Sequence, residues 1–194
     1  MTISQTKERT YTAEEYLDLE IASESRNEYC NGEIISMTGG MPNHNDIGGN
    51  LYILLKTALK GKNYRSFYAD QRLSIPDANI YTYPDVMIVP KPIELQAGRK
   101  DTVVNPCFIA EVLSKSTQNY DRSEKFVAYR TIPSFQEYLL VSQYSVLVEH
   151  YVKTAPDRWL LAEYTDPTTI LTLSSLDLQI VIADLYENID FEDD

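Results

Sequence analysis

Between residues 43 and 60 the apolar side chains Ile47, Leu51, Leu54, Leu55 and Ala58 fall at helical spacing, predicting an amphipathic helix that ends near Gly61 and Lys62. A shorter helix is predicted to start at Thr12, whose distance from Glu15 is that of a capping box, with Tyr16 and Leu19 as its apolar positions. Between the two, Tyr29–Met37 carries an Asn-Gly turn leading into a strand. Residues 64–77 and 79–90 alternate well enough for two strands, and Pro84 within the second predicts a bend just where Asp85 emerges. Cys107–Leu113 is a long apolar run with the character of a buried strand, broken by one charge, Glu111. A polar loop at 114–119 leads to a helix over about 120–131, with Phe126, Val127 and Tyr129 as packing groups and Ile132-Pro133 closing it. Glu137–Val141 reads as a further buried strand. Strands at 145–153, 158–164 and 169–173, separated by Ala155-Pro156-Asp157 and Asp166-Pro167, read as a peripheral antiparallel meander. Strands alternating with helices and then strands alone imply an α/β fold: a mixed sheet flanked by helices, with a C-terminal antiparallel meander.

Composition bounds this picture. A chain of 194 residues, 43% hydrophobic, can bury one sizeable core without disulfides or structural metal. No repeat, low-complexity tract or Gly/Ser/Pro linker divides it, so residues 1–194 are expected to form a single domain ending in an acidic tail at 184–194. Cys30 and Cys107 lack metal-ligand spacing and are expected to be ordinary reduced thiols. With no apolar leader segment and no stretch of roughly 18 apolar residues, the expected location is the cytoplasm, away from membranes. The net charge of −12 argues against binding nucleic acid through a broadly basic surface. Half of that excess lies in 184–194, however, and Lys56, Lys60, Lys62, Arg65 and Arg72 form a locally basic stretch, which solvated helix and strand faces would explain equally well.

The chemistry concentrates on three residues. A carboxylate inside an apolar strand costs several kcal/mol to bury unless something pairs with it, so Glu111 demands a partner. Asp85, after the proline of a neighbouring strand, is a natural second carboxylate, and two such oxygens at one sheet edge are hard ligands of the kind Mg²⁺ prefers. Lys125, on the helix that follows the Glu111 strand, can return to the same edge and offer positive charge to a phosphate. The duller alternatives are a turn-forming Pro-Asp pair and a structural ion pair of Glu111 with Arg130 or Lys125.

Several stretches, in order along most of the chain, resemble one known family: Glu28–Ile35, His44, Tyr83–Val89, Glu111–Thr117, Tyr120–Lys125 and Ile132–Val141. They are similar to the Uma-two-type restriction endonucleases of the PD-(D/E)xK nuclease superfamily. The resemblance implies a restriction-endonuclease-like core that hydrolyses DNA phosphodiester bonds, with Mg²⁺, or Mn²⁺ in its place, held by Asp85 and Glu111. It also implies the backbone carbonyl of Val112 and the carboxylate of Glu33 as further metal contacts, and His44 beside the site. No organic cofactor is expected. Leu113 stands where the superfamily pattern has lysine, so the resemblance passes that role to Lys125 on the following helix, with Lys115 as competitor. Cutting both strands of a duplex further implies a homodimer. The alternative is a catalytically inactive nuclease fold that serves as a binding or interaction protein, a reading the negative charge favours.

Overall fold

The computed structural model describes residues 9–191. Helix α1 (Ala13–Ala22) begins at the expected capping box: the Thr12 amide donates to Glu15 Oε2 at 2.8 Å and the Glu15 amide to Thr12 Oγ1 at 3.1 Å. Its buried residues are Tyr16 and Leu17, while Leu19 faces solvent. The Asn31-Gly32 turn joins two strands rather than leading into one, β1 (Asn27–Cys30) and β2 (Glu33–Ser36). Asn31 and Gly32 both have positive φ, the backbone of the tight hairpin turn that Asn-Gly favours. Helix α2 (Pro42–Ala58) starts on a proline at its first turn and buries Ile47, Leu51 and Leu55; Ala58 is exposed.

The two alternating runs that follow each resolve into two strands: β3 (Tyr64–Tyr68), β4 (Arg72–Ile75), β5 (Ile80–Thr82) and β6 (Val86–Pro90). After the short β7 (Thr102–Val103) comes β8 (Phe108–Leu113), buried along its whole length as its apolar run predicts. The next helical stretch is composite: one turn of α3 (Gln118–Tyr120), a π turn over Asp121–Lys125, and α4 (Phe126–Tyr129). Ala128 and Tyr129 pack inward there, and Val127 is exposed. The remainder comprises β9 (Glu137–Ser142), β10 (Val148–Ala155), β11 (Arg158–Tyr164), β12 (Ile170–Leu173), β13 (Leu178–Val181) and α5 (Ile182–Leu185).

Two larger sheets and a hairpin organise these elements. One sheet has the order β2-β1-β5-β4-β7, the other β11-β10-β9-β8-β6-β3, and β12 pairs only with β13. The six-stranded sheet is mixed, with β8 parallel to β9 and its other pairings antiparallel. The C-terminal strands are antiparallel as expected, but β10 and β11 extend the main sheet, while the β12–β13 hairpin folds back onto its face.

Alternation along β8 explains how the layers form. Phe108, Ala110 and Val112 pack on one face with Leu51 and Leu55 of α2 and with Leu171, Leu173 and Leu185 of the C-terminal elements. Leu185, Tyr186, Ile189 and Phe191, within the segment marked by its acidity, lie against this same core. Ile109 and Leu113 point the opposite way, into a second core with Ala128 and Tyr129 of α4 and with Leu73, Ile75 and Ile80 of the five-stranded sheet. Glu111 is in register with that second face, so its carboxylate emerges between the main sheet, the composite helix and the smaller sheet.

Candidate active site

Pro84 is what separates the sheets near this point. β5 ends at Thr82 in the five-stranded sheet, β6 begins at Val86 in the six-stranded one, and Tyr83-Pro84-Asp85 is the step between them. Asp85 therefore sits at the end of β6, next to the neighbouring strand β8. Its amide donates to Glu111 Oε2 at 3.3 Å, and its own Oδ2 accepts from the Val112 amide at 2.7 Å. The two carboxylates are thus tied to each other through backbone, and the Val112 group that contacts Asp85 is its amide.

The composite helix supplies the cation. Lys125 Nζ lies 3.2 Å from Glu111 Oε1, 3.4 Å from Glu28 Oε1 and 3.4 Å from Asp121 Oδ1. The hydroxyl of Tyr129 donates to the same Glu111 oxygen at 2.7 Å. Asp121, Lys125 and Tyr129 are spaced by four residues and all turn inward; the π turn between the first two is a widening often found where a helix carries functional groups. Glu28 arrives from β1 in the other sheet and is held by the Thr82 hydroxyl and, at 3.4 Å, by the Tyr83 amide. His44, in the first turn of α2, places Nε2 3.4 Å from Asp85 Oδ2.

Of the residues expected from sequence, Asp85, Glu111, Lys125, His44 and Val112 converge here. Glu33 does not join them: it is exposed on β2, in register with Cys30, and makes no hydrogen bond to Asp85, Glu111 or Lys125. Lys115 is directed elsewhere, with its ammonium 5.4 Å from the ring centre of Tyr144. Arg130 is exposed over Phe126, so among the described residues the ion pair of Glu111 is with Lys125. Glu28, Asp121 and Tyr129 complete the centre although sequence reasoning assigned none of them a role there.

Charge is out of balance at this point. Glu111, Glu28 and Asp121 surround one lysine, Asp85 stands beside them within reach of His44, and the side chains of Glu111, Asp121 and Lys125 are each less than a tenth exposed. Burial pushes the Glu111 carboxyl up to about 8 against the pull of Lys125, with the nearby Asp85 and Asp121 adding to the rise. Burial likewise raises Asp85, against His44, the Val112 amide and Lys125. For Lys125 burial works to lower the pKa, but Glu111, Glu28 and Asp121 outweigh it and hold the ammonium charged well above its usual range. Carboxylates so arranged favour a further cation. Among the described residues no three of His, Cys, Asp and Glu converge to hold a metal ion by themselves. Two protein carboxylates suit a hard ion that keeps several waters, the habit of Mg²⁺, better than one needing a full protein cage.

Asp85 and His44 line a cleft of about 800 Å³, with Glu111 and Lys125 behind them. The cleft carries Glu20, Glu24, Asp70 and Asp101, and its two arginines are already paired, Arg26 with Asp70 and Arg72 with Asp101. The loop residue Gly40 lines the same cleft beside His44.

Comparison with known proteins agrees with this architecture. A crystal structure from Anabaena variabilis, described as a putative nuclease belonging to DUF820, superposes with a TM-score of 0.74 at 20% identity, covering 91% of this chain and 98% of that one. An uncharacterised protein of Synechocystis sp. is 41% identical over 163 residues, 84% of this chain and 91% of its own length. A second from the same organism is 36% identical over 180 residues, 92% of each. The family model Uma2, "Putative restriction endonuclease", matches residues 13–183. The chain belongs to the Uma2 family and has the mixed α/β architecture of its nuclease-like structural neighbour.

Proposed function

We propose that this protein is a metal-dependent endonuclease that hydrolyses DNA phosphodiester bonds at the centre formed by Asp85, Glu111 and Lys125. The observation that carries the reading is the buried excess of carboxylate over cation beside an open cleft. A structural ion pair would need one acid for its lysine, and here three acids contact Lys125 while a fourth, Asp85, faces the cleft.

Asp85 and Glu111 are the residues that would hold Mg²⁺, or Mn²⁺ in its place. When bound, the ion would act as a Lewis acid on the phosphate and lower the pKa of the attacking water. The carbonyl of Val112, whose amide contacts Asp85, is a backbone candidate for a further contact. The Val112 amide fixes Asp85 in orientation, and Tyr129 and Lys125 do the same for Glu111. Lys125 holds its positive charge at the centre, where it stabilises the charge that develops on the phosphate as the bond breaks. His44, at the mouth of the cleft and within reach of Asp85, positions or deprotonates the attacking water. DNA is the substrate, and symmetric cutting of a duplex would use two copies of the chain.

The decisive assay is cleavage of supercoiled plasmid by the full chain with Mg²⁺ or Mn²⁺, beside EDTA and the variants Asp85→Ala and Lys125→Ala. Nicking that needs the metal and disappears in both variants is the expected result. If folded protein fails to cut across pH, salt and substrate type, the reading gives way to a fold that only binds.

A further inference from the structure

The cleft at Asp85 is a poor place to hold a polyanion, since its acids outnumber its arginines and those arginines are paired. At the other end of α2 the balance reverses. A second open cleft, of about 710 Å³, is lined by Lys56, Lys60, Lys62, Arg65 and Lys91 with no acidic side chain. Among the described residues none of these five makes an ion pair, although the chain carries a net charge of −12 and acids are abundant elsewhere. Lys56 gains something from the C-terminal end of the helix dipole, but that does not reach Arg65 on β3 or Lys91 beyond β6.

The two clefts share one axis. Helix α2 carries His44 near one end and Lys56 near the other, twelve residues apart, which at about 1.5 Å per residue is about 18 Å. The ribbon of β3 and β6 runs the same way: Tyr68 pairs with Val86, beside Asp85, and Tyr64 pairs with Pro90, beside Lys91. Between them α2 presents Asn45, Gly49, Ile53 and Lys56 at intervals of three or four residues, and nothing lies within 4 Å of where a Gly49 side chain would project.

We infer that the Lys56–Lys60–Arg65–Lys91 cleft is a second anchoring site for the phosphate backbone of duplex DNA. It would grip the duplex about half a helical turn from the bond to be cut, taking a turn as roughly 34 Å. The inference rests on DNA being the substrate. The basic cleft supplies the affinity and the acidic cleft the chemistry, which reconciles an acidic protein with a polyanionic ligand.

The test is fluorescence anisotropy of a labelled duplex of about 24 base pairs, roughly two turns. Full chain is titrated in EDTA over a salt series, so that binding is read without cutting. The neutralised variant Lys56→Gln/Lys60→Gln/Arg65→Gln/Lys91→Gln is expected to bind at least about tenfold more weakly at low salt. Its plot of log affinity against log salt should be flatter by about 3 to 4, the loss of four phosphate contacts. The charge-preserving variant Lys56→Arg/Lys60→Arg/Lys91→Arg should match wild type. Unchanged affinity and slope in the neutralised variant overturn the inference, as does equal weakening by both variants. A drop in molecular mass by light scattering with DNA affinity intact also overturns it, and marks the cleft as a contact with a second copy. Protein that binds through the cleft but never cuts plasmid keeps this inference and sinks the nuclease reading; protein that cuts with its neutralised cleft unimpaired does the reverse.

Discussion

Two glutamates are buried in adjacent parallel strands of the same sheet, Glu111 in β8 and Glu137 in β9, and they are buried in opposite ways. Glu137 has every oxygen occupied. Its Oε1 contacts His150 Nε2 at 2.6 Å and accepts from the Ser174 amide at 3.0 Å, while Oε2 accepts from the amide and hydroxyl of Ser175. Among the described residues no second carboxylate joins these hydrogen bonds, and the effect is to staple the β12–β13 turn onto the main sheet. Glu111 instead shares its space with three other acids, receives only a long contact on Oε2, and lies behind a residue that lines a cleft. A carboxylate in an apolar strand is therefore not in itself a sign of chemistry. What distinguishes the two is whether the fold satisfies the charge or leaves it in excess.

The largest effect that would test this contrast is on stability. Glu137→Ala strands His150 and two serine amides in the interior and should cost about 3–5 kcal/mol, read as a lowered midpoint in urea. Glu111→Gln should cost far less in metal-free protein, because it removes repulsion from Asp85 and Asp121 along with the attraction to Lys125. If the two substitutions cost the same, the contrast collapses and Glu111 is a structural ion-pair residue.

Activity should show the reverse order. Asp85→Asn and Lys125→Met are each expected to lower plasmid cleavage about 10²–10³-fold, equivalent to roughly 2.7–4 kcal/mol of transition-state stabilisation. Glu137→Gln, assayed at a temperature where it remains folded, should cut at close to the wild-type rate. Comparable losses in both sets would mean that cleavage follows stability rather than the site.

How much of this was legible from sequence depends on how far each signal reaches. The apolar run of β8 is long enough to fix its burial, which makes its single charge stand out, and Pro84 marks the step that exposes Asp85. Glu28 carries no such mark, because β1 is four residues long and its covered face is set by a helix and a strand far away in sequence. Asp121 stands four residues before Lys125, a spacing that shares a face in any helix, but an acid in a helix's first turn reads as a solvated group near the positive end of the dipole, so its burial carries no mark in the sequence. The same limit explains Leu19 and Val127, apolar by sequence and solvent-facing in the fold. Glu137 opens its strand as an ordinary acid, and its partners lie on β10 and in a turn more than 35 residues away. Reading residues 184–194 by charge passes over Leu185, Tyr186, Ile189 and Phe191, whose spacing suits a packed turn.

Proton and metal linkage should give the next effect in size. The folded-state pKa of Glu111, about 8, lies above its ordinary 4.5, so metal-free folded protein holds a proton that the unfolded chain releases. Stability is then greatest at or below about pH 4.5 for this group and declines as pH rises to about 8. Lys125, charged well beyond that range, does not contribute within it. Mg²⁺ competes with the proton, so its stabilising effect should grow over the same window, reaching about 2.7 kcal/mol at a hundredfold excess over its dissociation constant. Thermal melts across pH, with and without Mg²⁺, read both trends. Glu111→Gln should abolish the metal's effect and reduce the pH slope to the part contributed by Asp85, also raised by burial, whereas persistence of the full slope would move the linked proton away from Glu111.

The smallest effect isolates the mouth of the cleft. A Cβ added to Gly40 would stand 3.0 Å from His44 Nδ1 and 2.9 Å from Asn45 Oδ1, so the Asn45 amide must shift and the imidazole must give by a few tenths of an ångström. The neighbouring Gly39 has nothing within 4 Å of the same position. Gly40→Ala should push the imidazole away from Asp85 and slow cleavage about tenfold, roughly 1.4 kcal/mol, because the ring that positions water is displaced but not removed. Gly39→Ala makes the same chemical change one residue away and should leave the rate alone. Equal rates in the two variants would mean that His44 does not act on the reaction. A selective loss at Gly40, with thermal stability equal in both, assigns the effect to the placement of the ring.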